Sequence, residues 1–158
     1  LKEDRPYFFP YLFGGPAGSA EGASLVGARG WHTKADITAS VIEGVVFNHK
    51  HHLDMLSEKL DTSKRVVATG GSMQSNIWAQ LIADVLNREI QISNTQESGA
   101  RGIAMLAGVA VGTYSSISDA ISKCVAIEQT VKPNSQRSEF FQKRYLKYRT
   151  EAKRIINI

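Results

Sequence analysis

The sequence predicts an α/β fold in a single domain over residues 1–158, because strand and helix patterns alternate along it. An apolar run, Val66–Ala68, stops at two glycines, and a helical pattern begins shortly after them. Residues 89–92 alternate polar and apolar side chains, which is typical of a strand. From Ile37 to Val46, apolar residues recur at helical spacing. Strands and amphipathic helices in this order bury their apolar sides by packing in layers.

The first third of the chain predicts an extended segment followed by a long helix. Residues 6–15 contain two prolines and five aromatic side chains, which favour an extended, packed segment. Residues 16–23 predict a loop, and a short apolar stretch then ends at Gly27. Thr33 and Asp36 are spaced as a capping box, so we expect a helix over about residues 36–55. Its predicted buried stripe consists of Ile37, Val41, Ile42, Val45 and Val46.

Further helices are predicted along the rest of the chain. After a turn near residues 61–63 and the glycine pair, a helix at 75–87 should bury Ile77, Trp78, Leu81, Ile82 and Val85. A helix at 98–111 is rich in small residues, which permit a neighbour or a ligand to approach closely. Ser116 and Asp119 predict another helix start. A last helix is predicted at 138–155, with Phe141, Tyr145 and Tyr148 on one side of it.

The glycine pair after the strand is the first candidate binding feature. Gly70 and Gly71 allow the backbone to turn with positive φ, and they carry no Cβ that would block a ligand. Free N–H groups at the following helix start favour oxygen ligands such as phosphates. Such a turn is also common as a purely structural connection, so the pattern by itself leaves both roles open.

Around this turn the sequence resembles the C-terminal domain of the FGGY family of carbohydrate kinases. That family has an adenosine motif of the form Thr-Gly-Gly-Gly-x-Lys/Arg-Ser, followed by an apolar residue and Trp. The chain matches this motif at Thr69, Gly70, Gly71, Ser75 and Trp78. It departs from the motif at Ser72, where a third glycine is usual, and at Gln74, where a basic residue is common.

Similar segments lie on both sides of the motif, from about Phe9 to Gly112. Residues 78–86 are similar to the family's Trp-x-Gln-x-x-Ala-Asp-x-Leu, and residues 27–43 resemble a second signature, with Ala28 in place of an aliphatic residue. Residues 97–104 resemble Glu-x-x-Ala-Leu-Gly-Ala-Ala, with Arg101 replacing Leu. The overall pattern looks nearest to xylulose and L-xylulose kinases.

This resemblance implies the second lobe of a two-lobed sugar kinase, with a ribonuclease-H-like (actin-like ATPase) fold that lacks its first strands. Members of the family transfer the γ-phosphoryl group of ATP to a sugar hydroxyl in the cleft between the lobes. We expect the N-terminal lobe, which is absent from this chain, to supply the catalytic Asp and to hold most of the Mg²⁺ ligands. The implied partners of the full-length protein are ATP, a sugar and its own N-terminal lobe, and the favoured sugar is a xylulose-type pentulose.

The resemblance also implies that this chain is the C-terminal, adenosine-binding half of the site. We assign to the nucleotide Gly70, Gly71, Ser72 and Ser75. No carboxylate of the chain falls in a catalytic motif of the family, so we expect no catalytic residue and no metal ligand here. The chain by itself should therefore be inactive as a kinase.

Charge and cysteine content limit the other classes of function. The net charge is +4, and the basic residues near the C-terminus are Lys143, Arg144, Lys147, Arg149, Lys153 and Arg154. No base-stacking or groove-binding motif accompanies them, so a solvated helix face is favoured over a nucleic-acid site. The single cysteine, Cys124, excludes an internal disulfide and fits a cytoplasmic protein. No apolar run is long enough to span a membrane, so no membrane partner is expected.

Three histidines close together raise the question of a metal site. His49 and His52 are three residues apart and can share a helix face, whereas His51 points elsewhere on a helix. A metal site needs a third ligand, and no cysteine lies nearby in the sequence. We therefore expect these residues to form the hydrated end of a long helix.

Two other classes of function stay open. One is a nucleotide-binding paralogue without kinase activity, which the departures at Ser72, Gln74 and Arg101 favour. The other is a structural or interaction domain whose glycines serve packing only. An exposed cleft surface would also favour a homodimer or docking onto the N-terminal lobe. A phosphate-binding turn and a catalytic Asp upstream of this chain would distinguish the kinase from both alternatives.

Overall fold

The computed structural model describes residues 1–15, 22–61, 65–94 and 97–156. The predicted loop at 16–23 and the turn at 61–63 lie largely outside these ranges. The elements in chain order are β1 (Tyr7–Phe9), β2 (Ser24–Val26), α1 (Lys34–Ser57), β3 (Val66–Ala68), a 3₁₀ turn (Gly71–Gln74), α2 (Asn76–Leu86), β4 (Ile90–Ser93), α3 (Ser98–Ala110), α4 (Ile117–Cys124), β5 (Ile127–Val131) and α5 (Ser135–Ile156). No helix in the described part of the chain is both long enough and apolar enough to cross a membrane.

These elements group into two compact units. Residues 1–63, 84–87 and 134–158 form the first unit, and residues 64–83 and 88–133 form the second. The first unit contains the antiparallel pair β1–β2 together with α1 and α5. The second contains the sheet with the order β3-β4-β5 and helices α3 and α4. A single domain over residues 1–158 stays a prediction.

Helix α1 begins as predicted but buries a different face. Thr33 and Asp36 form the capping box, with the Asp36 N–H donating to Thr33 Oγ1 at 3.2 Å and the Thr33 N–H to Asp36 Oδ2 at 2.9 Å. Lys2 and Thr33 donate to the Asp36 carboxylate and hold its pKa well below the usual range. The predicted stripe was wrong at Val41 and Ile42, which are exposed. Val46 is buried as predicted, and the other buried residues are Asp36, Ser40, Glu43, Gly44 and Phe47.

The reason for this different face lies in the partners of α1. Strand β1 approaches the helix at Gly44, where the Phe8 backbone leaves no room for a side chain. Glu43 is neutralised by Arg5 and Arg144, so its carboxylate can be buried. Apolar spacing within the helix carries no information about either partner, and the periodicity therefore predicted the wrong stripe.

Helix α5 supplies the aromatic core of the first unit. Phe141, Tyr145 and Tyr148 are buried, as the sequence predicted. The Tyr148 ring stacks on Phe9, with the ring centroids 4.6 Å apart. The Tyr145 hydroxyl donates to Asp54 Oδ2 at 2.7 Å, and burial and this carboxylate raise the pKa of Tyr145. The hydroxyl therefore stays protonated and remains the donor.

Several of the basic residues on α5 have acidic partners. Arg144 is buried against Glu43. Lys143 binds Glu139 at 2.8 Å, and Arg154 binds Glu151 at 3.1 Å, each within the helix. These contacts are those of a structural helix with charged side chains on its solvent face.

The sheet of the second unit is mixed. Strands β3 and β4 are parallel, with Val66 opposite Ile90 and Ala68 opposite Ile92, which confirms the two predicted strands as neighbours. Strand β5 pairs antiparallel with β4 and was not predicted. The first four residues of β5 are exposed, so buried and exposed positions do not alternate along it. A half-buried strand is recognised in sequence by the alternation that such burial imposes, and β5 has none.

Helices α2 and α3 are found at the predicted places, although their burial differs from the prediction. Ile77 of α2 is 84% exposed and Trp78 is half-buried, whereas Leu81 and Val85 are buried. Helix α3 has no buried residue, and its Ile103 and Leu106 are mostly exposed.

Two polar residues of the motif helix α2 have structural roles. In the second unit, Gln80 Nε2 donates to the Lys132 carbonyl oxygen at 3.0 Å. In the first unit, the buried Asp84 carboxylate accepts from the Asn134 backbone N–H at 2.8 Å and from the Arg137 guanidinium. Asp84 therefore anchors the start of α5.

Candidate functional site

The glycine turn at the end of β3 has the geometry that its sequence predicts. Gly70 has φ 104° and ψ 167°, a conformation that residues with a Cβ rarely adopt. The Met73 N–H donates to the Gly70 carbonyl at 3.1 Å, and the Met73 side chain is buried beneath the turn. A Cβ added at Gly70 or Gly71 would meet no atom within 4 Å. Both glycines therefore face open space, and only Gly70 is required by its backbone angle.

Ser75 connects this turn to helix α2. Its backbone is extended, and its hydroxyl oxygen accepts from the Trp78 N–H at 3.4 Å. Its carbonyl accepts from the Ala79 N–H at 2.9 Å. Ser75 thus acts as the N-cap of the helix, and its hydroxyl proton is available to donate to a ligand.

A cavity of about 410 Å³ opens beside the turn, within the second unit. Its lining residues are Gly70, Met73, Gln74, Ile92, Ser93, Asn94, Glu128 and Gln129. This volume lies in the range of small-molecule sites, about 300–1,000 Å³. Of the four residues assigned from sequence, Gly70 lines the cavity, whereas Gly71, Ser72 and Ser75 are exposed on the adjoining turn.

Of the residues that line this cavity, only Gly70 was assigned to a ligand from the sequence. Ser93 and Asn94 stand at the carboxyl end of β4, the end at which ligands bind in open α/β sheets, so a signal for them existed. Glu128 and Gln129 come from the unpredicted β5, for which no comparable signal existed. Arg101, which the sequence marked only as a departure from the family motif, holds Asn94 with two hydrogen bonds.

The histidine group does not assemble a metal site in the described ranges. No three His, Cys, Asp or Glu side chains within them are grouped as metal ligands. The rings of His51 and His52 lie 6.1 Å apart. Burial lowers the pKa of His49 and of His51, with smaller contributions from neighbouring positive groups.

The sequence pattern of the FGGY family of carbohydrate kinases, C-terminal domain, matches residues 6–111. This chain belongs to that family. The match includes the glycine turn, helix α2 and helix α3, so the resemblance seen in the sequence is confirmed.

Relatives named as sugar kinases agree with this FGGY assignment. The chain is 32% identical over 142 residues to the L-xylulose/3-keto-L-gulonate kinase of Escherichia coli, covering 90% of this chain and 28% of that protein. It is 28% identical over 144 residues to a xylulose kinase of Staphylococcus epidermidis, covering 89% of this chain and 29% of that protein. The chain therefore spans less than a third of the length of these relatives.

Solved structures confirm the fold of this FGGY chain. The gluconate kinase from Lactobacillus acidophilus matches with a TM-score of 0.80 and 27% identity, over 95% of this chain and 31% of that one. The ligand-bound xylulose kinase from the same organism matches with a TM-score of 0.77 and 28% identity, over 94% and 31%. The glycerol kinase of Plasmodium falciparum with ADP shares the fold at a TM-score of 0.73 and 20% identity, over 98% of this chain and 31% of that one. The expected actin-like ATPase fold of a partial C-terminal lobe is thus confirmed.

Proposed function

We propose that this chain is the adenosine-binding part of a kinase that transfers the γ-phosphoryl group of ATP to a sugar hydroxyl. The observation that carries the proposal is the open Gly70-Gly71 turn beside a nucleoside-sized cavity, in a chain of the FGGY family. The relatives named xylulose and L-xylulose kinases favour a xylulose-type pentulose as the sugar.

The residues of this chain would bind and orient the nucleotide. The open sides of Gly70 and Gly71 admit the adenosine portion, because no Cβ stands between the backbone and the cavity mouth. The hydroxyls of Ser72 and Ser75 lie on the same turn and can donate to ligand oxygens. Residues of the other lobe would mainly hold Mg²⁺, which would supply positive charge to neutralise the phosphates.

Replacing Gly71 with valine should abolish binding of ATP and ADP. A branched side chain would occupy the open space that the adenosine needs, while the φ of Gly71 lies outside the range that side chains avoid. The positive φ of this turn belongs to Gly70, so Gly71→Val should fold normally. Isothermal titration calorimetry of the full-length protein measures the effect.

Gly30→Val is the matched control for this experiment. A Cβ at Gly30 also meets no atom within 4 Å, and Gly30 lies outside the turn, so nucleotide affinity should not change. An unchanged ATP affinity in Gly71→Val would remove the nucleotide proposal.

Residues 1–158 by themselves should show no kinase activity. They supply part of one lobe, so the cleft cannot close around a sugar and phosphates, and the groups that position the phosphoryl group are missing. Adenosine contacts alone should give a Kd of about 1 mM or weaker, since they do not offset the cost of association. An ATP-consumption assay with pentuloses, hexuloses and polyols tests this, and sugar-dependent ADP release at ordinary kinase rates would contradict it.

A second candidate is a nucleotide-binding paralogue without kinase activity. Gln74 lines the cavity at the position where the family commonly has a basic residue, so this chain lacks a positive charge there. The full-length protein would then bind ATP in the calorimetric titration, yet it would release no ADP with any sugar of the panel.

The same proposal suggests which partners the exposed apolar surface of α3 would contact. We infer that the exposed apolar residues Ile103 and Leu106 of α3 face the protein's own N-terminal lobe or a second copy of the chain. A cytoplasmic location stays a prediction from the sequence. Sedimentation of the full-length protein with both residues replaced by serine tests the homodimer, since loss of a dimer is expected only if α3 forms its interface.

A further inference from the structure

The cavity wall formed by β4 and β5 contains an irregularity at an acidic residue. Ile92 pairs with Gln129 and Ser93 with Ile127, which leaves Glu128 as the extra residue of a β-bulge. Consecutive residues of a regular strand point to opposite faces. Here Glu128 and Gln129 both line the cavity. Bulges re-aim single side chains in this way, often beside binding sites.

Asn94, on the opposite strand, is fixed in one orientation. Its Oδ1 accepts from Arg101 Nη1 at 2.7 Å and from the Ala126 backbone N–H at 3.3 Å. Its backbone oxygen accepts from Arg101 Nη2 at 3.0 Å, and its backbone N–H donates to the Ala126 oxygen at 3.0 Å. A flipped amide would point its NH₂ group at two donors, so the orientation is determined.

This arrangement leaves one polar group of Asn94 for a ligand. Its Nδ2 group forms no hydrogen bond with any residue in the described ranges, and Asn94 lines the cavity. Arg101 also donates to the Cys124 carbonyl at 3.0 Å, so the guanidinium is itself held in place from the end of α4. The family pattern has Leu at this position, and Leu could form none of these bonds.

The cavity thus presents one fixed donor and one carboxylate acceptor. Adenine offers a ring-nitrogen acceptor beside an amino donor, whereas guanine has the carbonyl acceptor O6 in place of that amino group. We propose that Asn94 donates to an adenine ring nitrogen and that Glu128 accepts from the adenine amino group. The site then prefers adenine to guanine nucleotides, and Arg101 is a positioning residue that acts through Asn94. This inference rests on the proposed nucleotide function.

Removing the acceptor tests the base preference. Glu128→Gln keeps the size of the side chain, and its amide can donate to guanine O6. The ratio of GTP to ATP affinity, measured by calorimetry on the full-length protein, should rise about tenfold, the effect of one hydrogen bond to a charged group. A loss of folding would weaken both nucleotides equally and would leave the ratio unchanged.

Removing the donor and its support tests the other half of the proposal. Asn94→Asp keeps the oxygen that binds Arg101 and replaces the donor by an acceptor, so ATP affinity should fall about tenfold. Arg101→Leu should weaken ATP binding as well. Because Arg101 acts through Asn94, the double variant Asn94→Ala/Arg101→Leu should bind ATP no more weakly than Asn94→Ala alone.

The possible results separate the two proposals. If the unmodified protein binds ATP, the base-recognition proposal is overturned and the nucleotide function stands in either of two cases. In the first, Glu128→Gln still binds ATP and its ratio of GTP to ATP affinity is unchanged. In the second, ATP affinity is unchanged in Asn94→Asp. If the unmodified protein binds neither ATP nor GTP, both proposals fail. A raised ratio of GTP to ATP affinity in Glu128→Gln, together with weakened ATP binding in Asn94→Asp, supports both proposals.

Discussion

Replacing Glu43 with glutamine should lower the free energy of unfolding by about 3–5 kcal/mol, as expected when one partner of a buried ion pair is removed. The Glu43 side chain is 5% exposed and that of Arg144 is 2% exposed. Glu43 accepts from Arg144 Nε at 3.0 Å and also pairs with Arg5. Glutamine has nearly the same size but carries no charge. Two guanidinium groups would then face each other in the interior without a carboxylate between them.

Arg144 adds to this cost because it also holds the N-terminal segment. Its Nη1 donates to the Glu3 carbonyl oxygen at 2.6 Å, and its guanidinium lies over the Tyr7 ring, 4.8 Å from the centroid. Glu43, on α1, is thus the charge that keeps Arg144, on α5, in a position to bind the segment before β1. Its loss should therefore loosen α1, α5 and the segment before β1 together.

The matched control for this variant is Glu139→Gln. Glu139 also pairs with a basic residue, Lys143 at 2.8 Å, and both side chains are mostly exposed. A solvated pair contributes little to stability because water screens it. Urea unfolding of the full-length protein, followed by circular dichroism, should show a lowered midpoint for Glu43→Gln and an unchanged one for Glu139→Gln. Equal midpoints would show that the buried pair does not stabilise this unit.

Gly44→Ala should destabilise the protein by about 1–3 kcal/mol, the usual cost of overpacking a core. Within an isolated helix this change would be favourable by about 1 kcal/mol, because alanine is the better helix former. In this structure a Cβ at Gly44 would collide with the Phe8 carbonyl oxygen and lie 3.1 Å from the Phe8 Cβ. Both atoms belong to a paired strand, and they cannot move without separating β1 from α1.

Gly102→Ala supplies the opposite expectation in a helix of the second unit. Gly102 lies in the interior of α3, and an added Cβ meets no atom within 4 Å. The substitution should therefore stabilise the protein by up to about 1 kcal/mol through helix propensity alone. Thermal unfolding of both variants gives the comparison, and a Gly44→Ala protein that is as stable as the original would contradict the close packing of β1 on α1.

The sequence alone predicted those features that depend on neighbouring residues. The capping box of Thr33 and Asp36, the paired strands β3 and β4, and the glycine turn were predicted from short patterns and are confirmed. The capping box and the turn are decided within a few residues, by hydrogen bonds to nearby backbone or by the absence of a Cβ. The two strands were predicted from their own short apolar patterns and from the alternation of strands with helices. The same local patterns were specific enough to indicate the FGGY family.

The tertiary structure decided everything that joins distant parts of the chain. Glu43 and Arg144 are 101 positions apart, and no periodicity within either helix predicts that a carboxylate occupies the buried face. The bulge at Glu128 exists because β5 pairs with β4 out of regular register, and the role of Arg101 depends on where α4 ends. Helical spacing predicts which residues share a face, but only the partner that covers a face determines whether that face is buried, charged or open to a ligand.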